Sequence, residues 1–152
     1  LNAGLIINKE AKAGIIYAPA KNRMFYTYGN GLSYESKNGK QEVLNNKKID
    51  INNIKAVSYS NKLKPEILKI HKKFNVKEFT KMKSSLKFCV VASGEYHIYA
   101  AEPRAQEWDI AAGHAILINS GGTISDFNGN GISYGKKGFK NPSLILKSSE
   151  SI

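Results

Sequence analysis

The sequence predicts an α+β segment followed by an α/β segment, and three observations carry that expectation. The first third falls into short β-type runs separated by turn residues. From about Ile54, strand-like runs alternate with segments of helical period. One small-residue helix, Asp109 to Asn119, closes on Gly121-Gly122. Successive hairpins indicate an antiparallel sheet, and strand–helix alternation indicates α/β construction.

Gly4 to Asn8 and Ala13 to Tyr17 are apolar runs on either side of the polar stretch Lys9-Glu10-Ala11-Lys12, a hairpin signal. Pro19 ends the second run, and Met24 to Tyr28 forms a third strand closed by Gly29-Asn30-Gly31. Leu32 to Tyr34 and Gln41 to Leu44 make a weaker pair around Asn38-Gly39. A meander of this kind needs a second layer over its apolar face, because hairpins alone are marginal in water. Ile54 to Ser58 is the next strand. Pro65 opens a helix continued at helical spacing by Ile67, Leu68, Ile70, His71 and Phe74. Val76 to Phe79 is a strand, and Ser84 is the expected N-cap of a helix through Leu86, Phe88, Cys89, Val91 and Ala92, stopped by Gly94. Tyr96 to Ala100, Thr123 to Ser125 and Ser143 to Leu146 complete the strands. The two halves divide near residues 45–55.

At 152 residues the chain suffices for one ordinary domain or parts of two. Its 41% hydrophobic and 23% charged residues are globular values, which excludes a disordered chain. A formal charge of +11 admits nucleic acid, an anionic membrane surface or a phosphorylated substrate as partner. The lysines are dispersed, and Arg23 and Arg104 are the only arginines. Bidentate recognition of bases and phosphates favours arginine, so a dedicated DNA binder is not expected. The single cysteine, Cys89, lies in the apolar run Phe88–Ala92 and reads as a buried structural thiol. No apolar run approaches the roughly 18 residues that a membrane span requires. The chain opens on Leu1 in strand-like sequence, and the expectation is a cytoplasmic protein, peripheral at the inner membrane at most, cut at its amino end.

Three clusters could carry chemistry. Asp109, at a helix start, reads either as an N-cap or as a hard-cation ligand kept ionised by the helix dipole and held rigid by Trp108. Ala111, Ala112 and Gly113 then allow close backbone packing. Ser84-Ser85-Leu86-Lys87 reads as a modest anion site or as a serine cap beside a solvated lysine. Glu102-Pro103-Arg104 reads as a surface turn with an i,i+2 charge pair or as part of a site. His71, His97 and His114 have no metal-ligand spacing, and no nucleophile elbow or P-loop occurs.

Taken together, these residues resemble the carboxy-terminal part of the inositol monophosphatase superfamily, and in particular its bacterial 3′(2′),5′-bisphosphate nucleotidase branch. The resemblance runs through Gly14-Ile15-Ile16-Tyr17-Ala18-Pro19, Met24-Phe25-Tyr26, Ser84-Ser85-Leu86-Lys87-Phe88-Cys89, Trp108-Asp109-Ile110-Ala111-Ala112-Gly113-His114 and Asn141-Pro142. It implies a layered αβαβα fold, incomplete at the amino end: residues 1–50 as a remnant of the antiparallel-sheet domain, 51–152 as the α/β domain. It implies Mg²⁺ as cofactor and hydrolysis of adenosine 3′,5′-bisphosphate to AMP and phosphate. By position it makes Asp109 a metal ligand close to the substrate, and Ser84, Ser85 and Lys87 nucleotide or phosphate contacts. Glu102 matches a substrate-hydroxyl position.

The family's upstream glutamate and its Asp-Pro-x-Asp-Gly-Thr segment, which supply most metal ligands, do not occur here. Lys83 replaces a usual glycine, Ala101 a usual arginine and Asn61 a usual histidine. The expectation is a fragment that is inactive alone, carries no catalytic residue of its own, and is completed, if at all, by a separately encoded amino-terminal half. Two alternatives stand beside it: an inositol-monophosphatase-like sugar phosphatase, and a non-catalytic basic phosphate- or RNA-binding remnant.

Overall fold

The first sheet follows from five short strands joined by tight connections: β1 (Asn2–Ile7), β2 (Glu10–Ala18), β3 (Arg23–Thr27), β4 (Tyr34–Lys37) and β5 (Lys40–Val43). They pair antiparallel in chain order. The computed structural model describes all 152 residues. The first hairpin turns at Asn8-Lys9, both with positive φ (50° and 66°), so Glu10 to Lys12 belong to β2 and not to the expected four-residue turn. Two left-handed residues match the twist of the flanking strands, and asparagine tolerates that conformation. The β4 strand also starts later than expected. Ser33 is drawn out of the ladder, donating its hydroxyl to the Ile116 carbonyl (2.6 Å) and its N–H to Asn45 Oδ1 (3.0 Å).

The second sheet has the order β7-β6-β8-β10-β9, with β6 (Ile54–Ser58), β7 (Val76–Lys81), β8 (Ile98–Ala101), β9 (Thr123–Ser125) and β10 (Leu144–Lys147). β6 runs parallel to both neighbours, whereas β10 is antiparallel to β8 and β9. Helix α1 (Pro65–Lys73) packs on β7 and β8. Ile67 and Ile70 meet Ala100 there, while Leu68, expected inside, is 51% exposed.

Helices α2 (Leu86–Ala92) and α3 (Glu107–Asn119) lie between the two sheets. A helix enclosed on both sides must be apolar all round, and the run from Ile110 to Leu117 is buried without a break. The first sheet admits α3 at one spot. Gly4 and Gly14 are paired across β1 and β2, and a Cβ on either would stand 2.7–2.8 Å from the backbone of Ala112. Gly113, on the same helix, lets Phe88 of α2 approach; a Cβ there would meet the Phe88 side chain at 2.5 Å. One core cluster therefore runs from Ile16 and Phe25, through both helices, to Tyr99 and Leu146.

The layers are sheet, helices, sheet, helix. The outer face of the first sheet carries an apolar groove of about 580 Å³ lined by Leu5, Ile15, Met24, Tyr26 and Tyr28. No helix is long and apolar enough to cross a membrane.

Candidate functional site

Ligands in open α/β sheets sit beyond the carboxyl ends of the strands, and a cleft of about 430 Å³ opens there, past β7 and β8. Ser84, Ser85, Lys87, Glu102 and Asp109 all line it. Three separate segments are thus brought together: the turn between β7 and α2, the end of β8, and the first turn of α3.

The turn is strained. Ser84 has φ +92°, a left-handed conformation that serine rarely adopts. Its hydroxyl accepts the Leu86 N–H at 3.2 Å, and its carbonyl accepts Lys87 Nζ at 2.8 Å. Ser85, not Ser84, occupies the N-cap position, and its side chain makes no capping bond. The reason is that the left turn at Ser84 places its oxygen over the first helical N–H groups. Lys87 is buried, with Nζ 5.3 Å from the Tyr99 ring centre, so it is not the solvated lysine of the alternative reading. Burial, followed by the nearby Arg104 charge, pushes its pKa down to about 8.

Glu102 is part-buried. Tyr59 donates its hydroxyl to Oε1, and Lys64 Nζ lies 3.2 Å from the same oxygen. Oε2 is buried without a partner. Burial raises the carboxyl pKa, but the bonds from Tyr59 and Lys64 outweigh it, and the net direction is down. The i,i+2 pair expected between Glu102 and Arg104 does not form. Arg104 instead lies over Tyr59, its guanidinium carbon 3.6 Å from the ring centre, while Tyr59 and Lys64 hold Glu102 through Oε1.

Asp109 is the third residue of α3 and not its N-cap, which is Gln106. Its Oδ2 accepts the Gln106 N–H at 2.9 Å; Oδ1 has no bond within the chain. Trp108 does not hold it rigid. The indole is 62% exposed and leans on Phe139, pointing away from the core that Ile110 and Ala111 enter. What pins the helix start is Glu107, buried and accepting the N–H groups of Gly135 and Lys136 (both 2.9 Å), with Lys136 Nζ at 2.8 Å.

Tyr59, Lys64 and Glu107 carried no expectation from the sequence. Tyr59 had one available signal, its place just past the end of a parallel strand. Glu107 had none, since its partners lie 28 and 29 residues away. The histidines stay apart from the cleft: His114 bonds the Tyr134 hydroxyl (2.8 Å), and His97 Nδ1 accepts the Lys55 N–H (2.9 Å). Cys89 is buried, which pushes its thiol pKa up and leaves it inert.

The inositol monophosphatase family model matches residues 2–151. The chain belongs to the inositol monophosphatase family. It is 30% identical over 146 residues to the 3′(2′),5′-bisphosphate nucleotidase CysQ of Salmonella typhimurium, which covers 93% of this chain and 57% of that protein. CysQ of Buchnera aphidicola is 34% identical over 124 residues, covering 80% and 45%. The chain thus spans about half the length of these curated relatives. Among solved structures, CysQ from Bacteroides thetaiotaomicron superposes with a TM-score of 0.81 at 28% identity, over 98% of this chain and 62% of that one. The inositol-monophosphate-bound staphylococcal IMPase-II gives 0.77 at 20% identity, over 98% and 56%, a likeness of fold alone. The family resemblance and the layered α/β fold expected from the sequence are both borne out.

Proposed function

We propose that this chain supplies the phosphate-binding wall and one metal-ligand carboxylate of a magnesium-dependent phosphomonoesterase. Its substrate is adenosine 3′,5′-bisphosphate, converted to AMP and phosphate. The observation that carries this reading is the convergence of Ser84, Ser85, Lys87 and Asp109, from two segments distant in sequence, on one cleft. Its support from relatives is the likeness to CysQ nucleotidases over most of the chain.

The fit to magnesium is partial. Asp109 suits one hard-oxygen position, with Oδ2 tied to Gln106 N–H and Oδ1 unbonded. It does not make a shell: no group of three or more His, Cys, Asp or Glu side chains is placed to hold a metal ion. What the chain's own residues do is bind and orient. Lys87 and the two serines hold a phosphate, and the Gln106 N–H fixes the Asp109 carboxylate at the opposite wall. The remaining ligands come from residues outside these 152, in an amino-terminal half that also covers the apolar outer face of the first sheet. Leu5 and Tyr28 on that face are 53% and 74% exposed and line its apolar groove, and contiguous apolar surface of this kind marks interaction sites.

One observation favours a second substrate. Glu102 lines the cleft as a carboxylate acceptor, which suits a hydroxyl such as a polyol phosphate of the inositol type provides. Phosphate release from the two substrates separates the readings. With Mg²⁺ the chain alone releases none. Joined by a matching amino-terminal half, it releases phosphate from adenosine 3′,5′-bisphosphate, and Asp109→Ala abolishes that. Metal-dependent release by the isolated chain would refute the need for a partner, and faster release from inositol monophosphate would favour the second substrate.

A further inference from the structure

The first turns of α2 and α3 line one cleft, and their last turns meet one ammonium group. Lys47 Nζ donates to the carbonyl of Ala92, the last residue of α2, at 2.9 Å. It also donates to the carbonyl of Ser120, which caps α3, at 2.7 Å, and to the Ser120 hydroxyl at 3.3 Å. Two residues earlier, Asn45 Nδ2 donates to the Asn119 carbonyl at 2.8 Å. The aliphatic stem of Lys47 lies against Gly94, where an added Cβ would stand 3.1 Å from Lys47 Cδ.

The two helices therefore run in the same direction, side by side. That arrangement is unfavourable for their dipoles, since partial charges of one sign meet at each end. At the carboxyl ends the negative charges converge on Lys47; although burial pushes its pKa down to about 8, it is charged at neutral pH. Unsatisfied carbonyls at a buried helix end are costly, so removing the ammonium leaves two helix ends to slide apart or fray. Between the two ends the helices pack on each other through Phe88, which sits against Gly113.

We infer that Lys47 is a positioning residue for the cleft: by tying the carboxyl ends of α2 and α3 together, it sets the separation of Ser84 and Lys87 from Asp109. It touches neither substrate nor metal. The residue sits on the strap joining the two sheets, on the far side of the helices from the site it serves. Its ligand readout rests on the phosphate-cleft reading above; its structural readout does not.

The test uses the full chain, isotope-labelled, with inorganic phosphate as the probe. In Lys47→Met the amide resonances of Ser85–Lys87 and of Trp108–Asp109 shift together, and phosphate binds about tenfold more weakly. Lys47→Arg, which keeps the charge and donors, restores both. Should Lys47→Met not fold, Lys47→Gln, with a neutral donor on a shorter stem, is read the same way. Shifts confined to residues 92–95 and 119–122, with phosphate affinity unchanged, would overturn the inference. A wild-type chain that ignores phosphate, while the variant still moves both first turns, removes the phosphate reading and leaves the positioning role standing.

Discussion

Ser84 is held in a backbone conformation that costs a non-glycine residue on the order of 1 kcal/mol. It keeps that conformation while its hydroxyl and carbonyl bond the first residues of α2. Strain of this kind at a cleft is tolerated where the side chain has a use. Ser84→Gly is accordingly expected to raise stability by up to about 1 kcal/mol, read as a higher urea midpoint with unchanged slope, and at the same time to weaken phosphate binding. A glycine variant that is stabilised and binds phosphate equally well would show the hydroxyl to be idle. The left-handed angle was not legible in the sequence, because serine gives no sign of positive φ. The type and spacing of Ser84, Ser85 and Lys87 were legible, and the structure places all three on the cleft.

Among the elements, α3 organises the molecule. Its apolar, small-residue sequence announced a helix; its burial between two sheets came from glycines about 100 residues upstream in the chain. Gly4 and Gly14 sit opposite one another and accept the Ala111–Ala112 turn. Gly14→Ala would drive a methyl group to within 2.8 Å of Ala112 backbone atoms, which cannot rotate away as a side chain can. Overpacking against backbone is expected to cost about 1–3 kcal/mol, measured by urea unfolding. Phosphate affinity should fall with it, because the displaced helix packs on α2, which carries Lys87. A neutral Gly14→Ala would mean that α3 does not rest on this pair. The start of α3 was misread by two residues since its cap, Gln106, is an unusual capping residue, and its anchor, Glu107, bonds a loop distant in sequence.

For the whole molecule, the folding equilibrium carries a pH signature. Burial lowers the pKa of His114 from 6.5 to about 4, and burial also lowers those of His71 and His97. Between those values the unfolded chain binds a proton that the folded chain does not, so stability rises with pH across this window. It is fully present above about pH 6.5 and is lost as pH falls toward 4. For His114 the loss is up to roughly 3 kcal/mol, and it should appear as a falling urea midpoint. His114→Gln should flatten that slope; an unchanged slope would assign the effect to other groups.

Hydrophobic period, turn residues and the Trp108–His114 run sufficed for the order of elements and the family, because these are local patterns that survive without neighbours. The residues that would hold phosphate were recognisable as types at spacings. Three-dimensional packing settled the rest: that Glu102 turns to Tyr59 and Lys64 rather than Arg104, that Asp109 sits inside its helix, and that Lys47 joins two helix ends. Each depends on partners dozens of residues away, and a one-dimensional pattern holds no record of which distant groups the folded backbone brings within hydrogen-bonding reach.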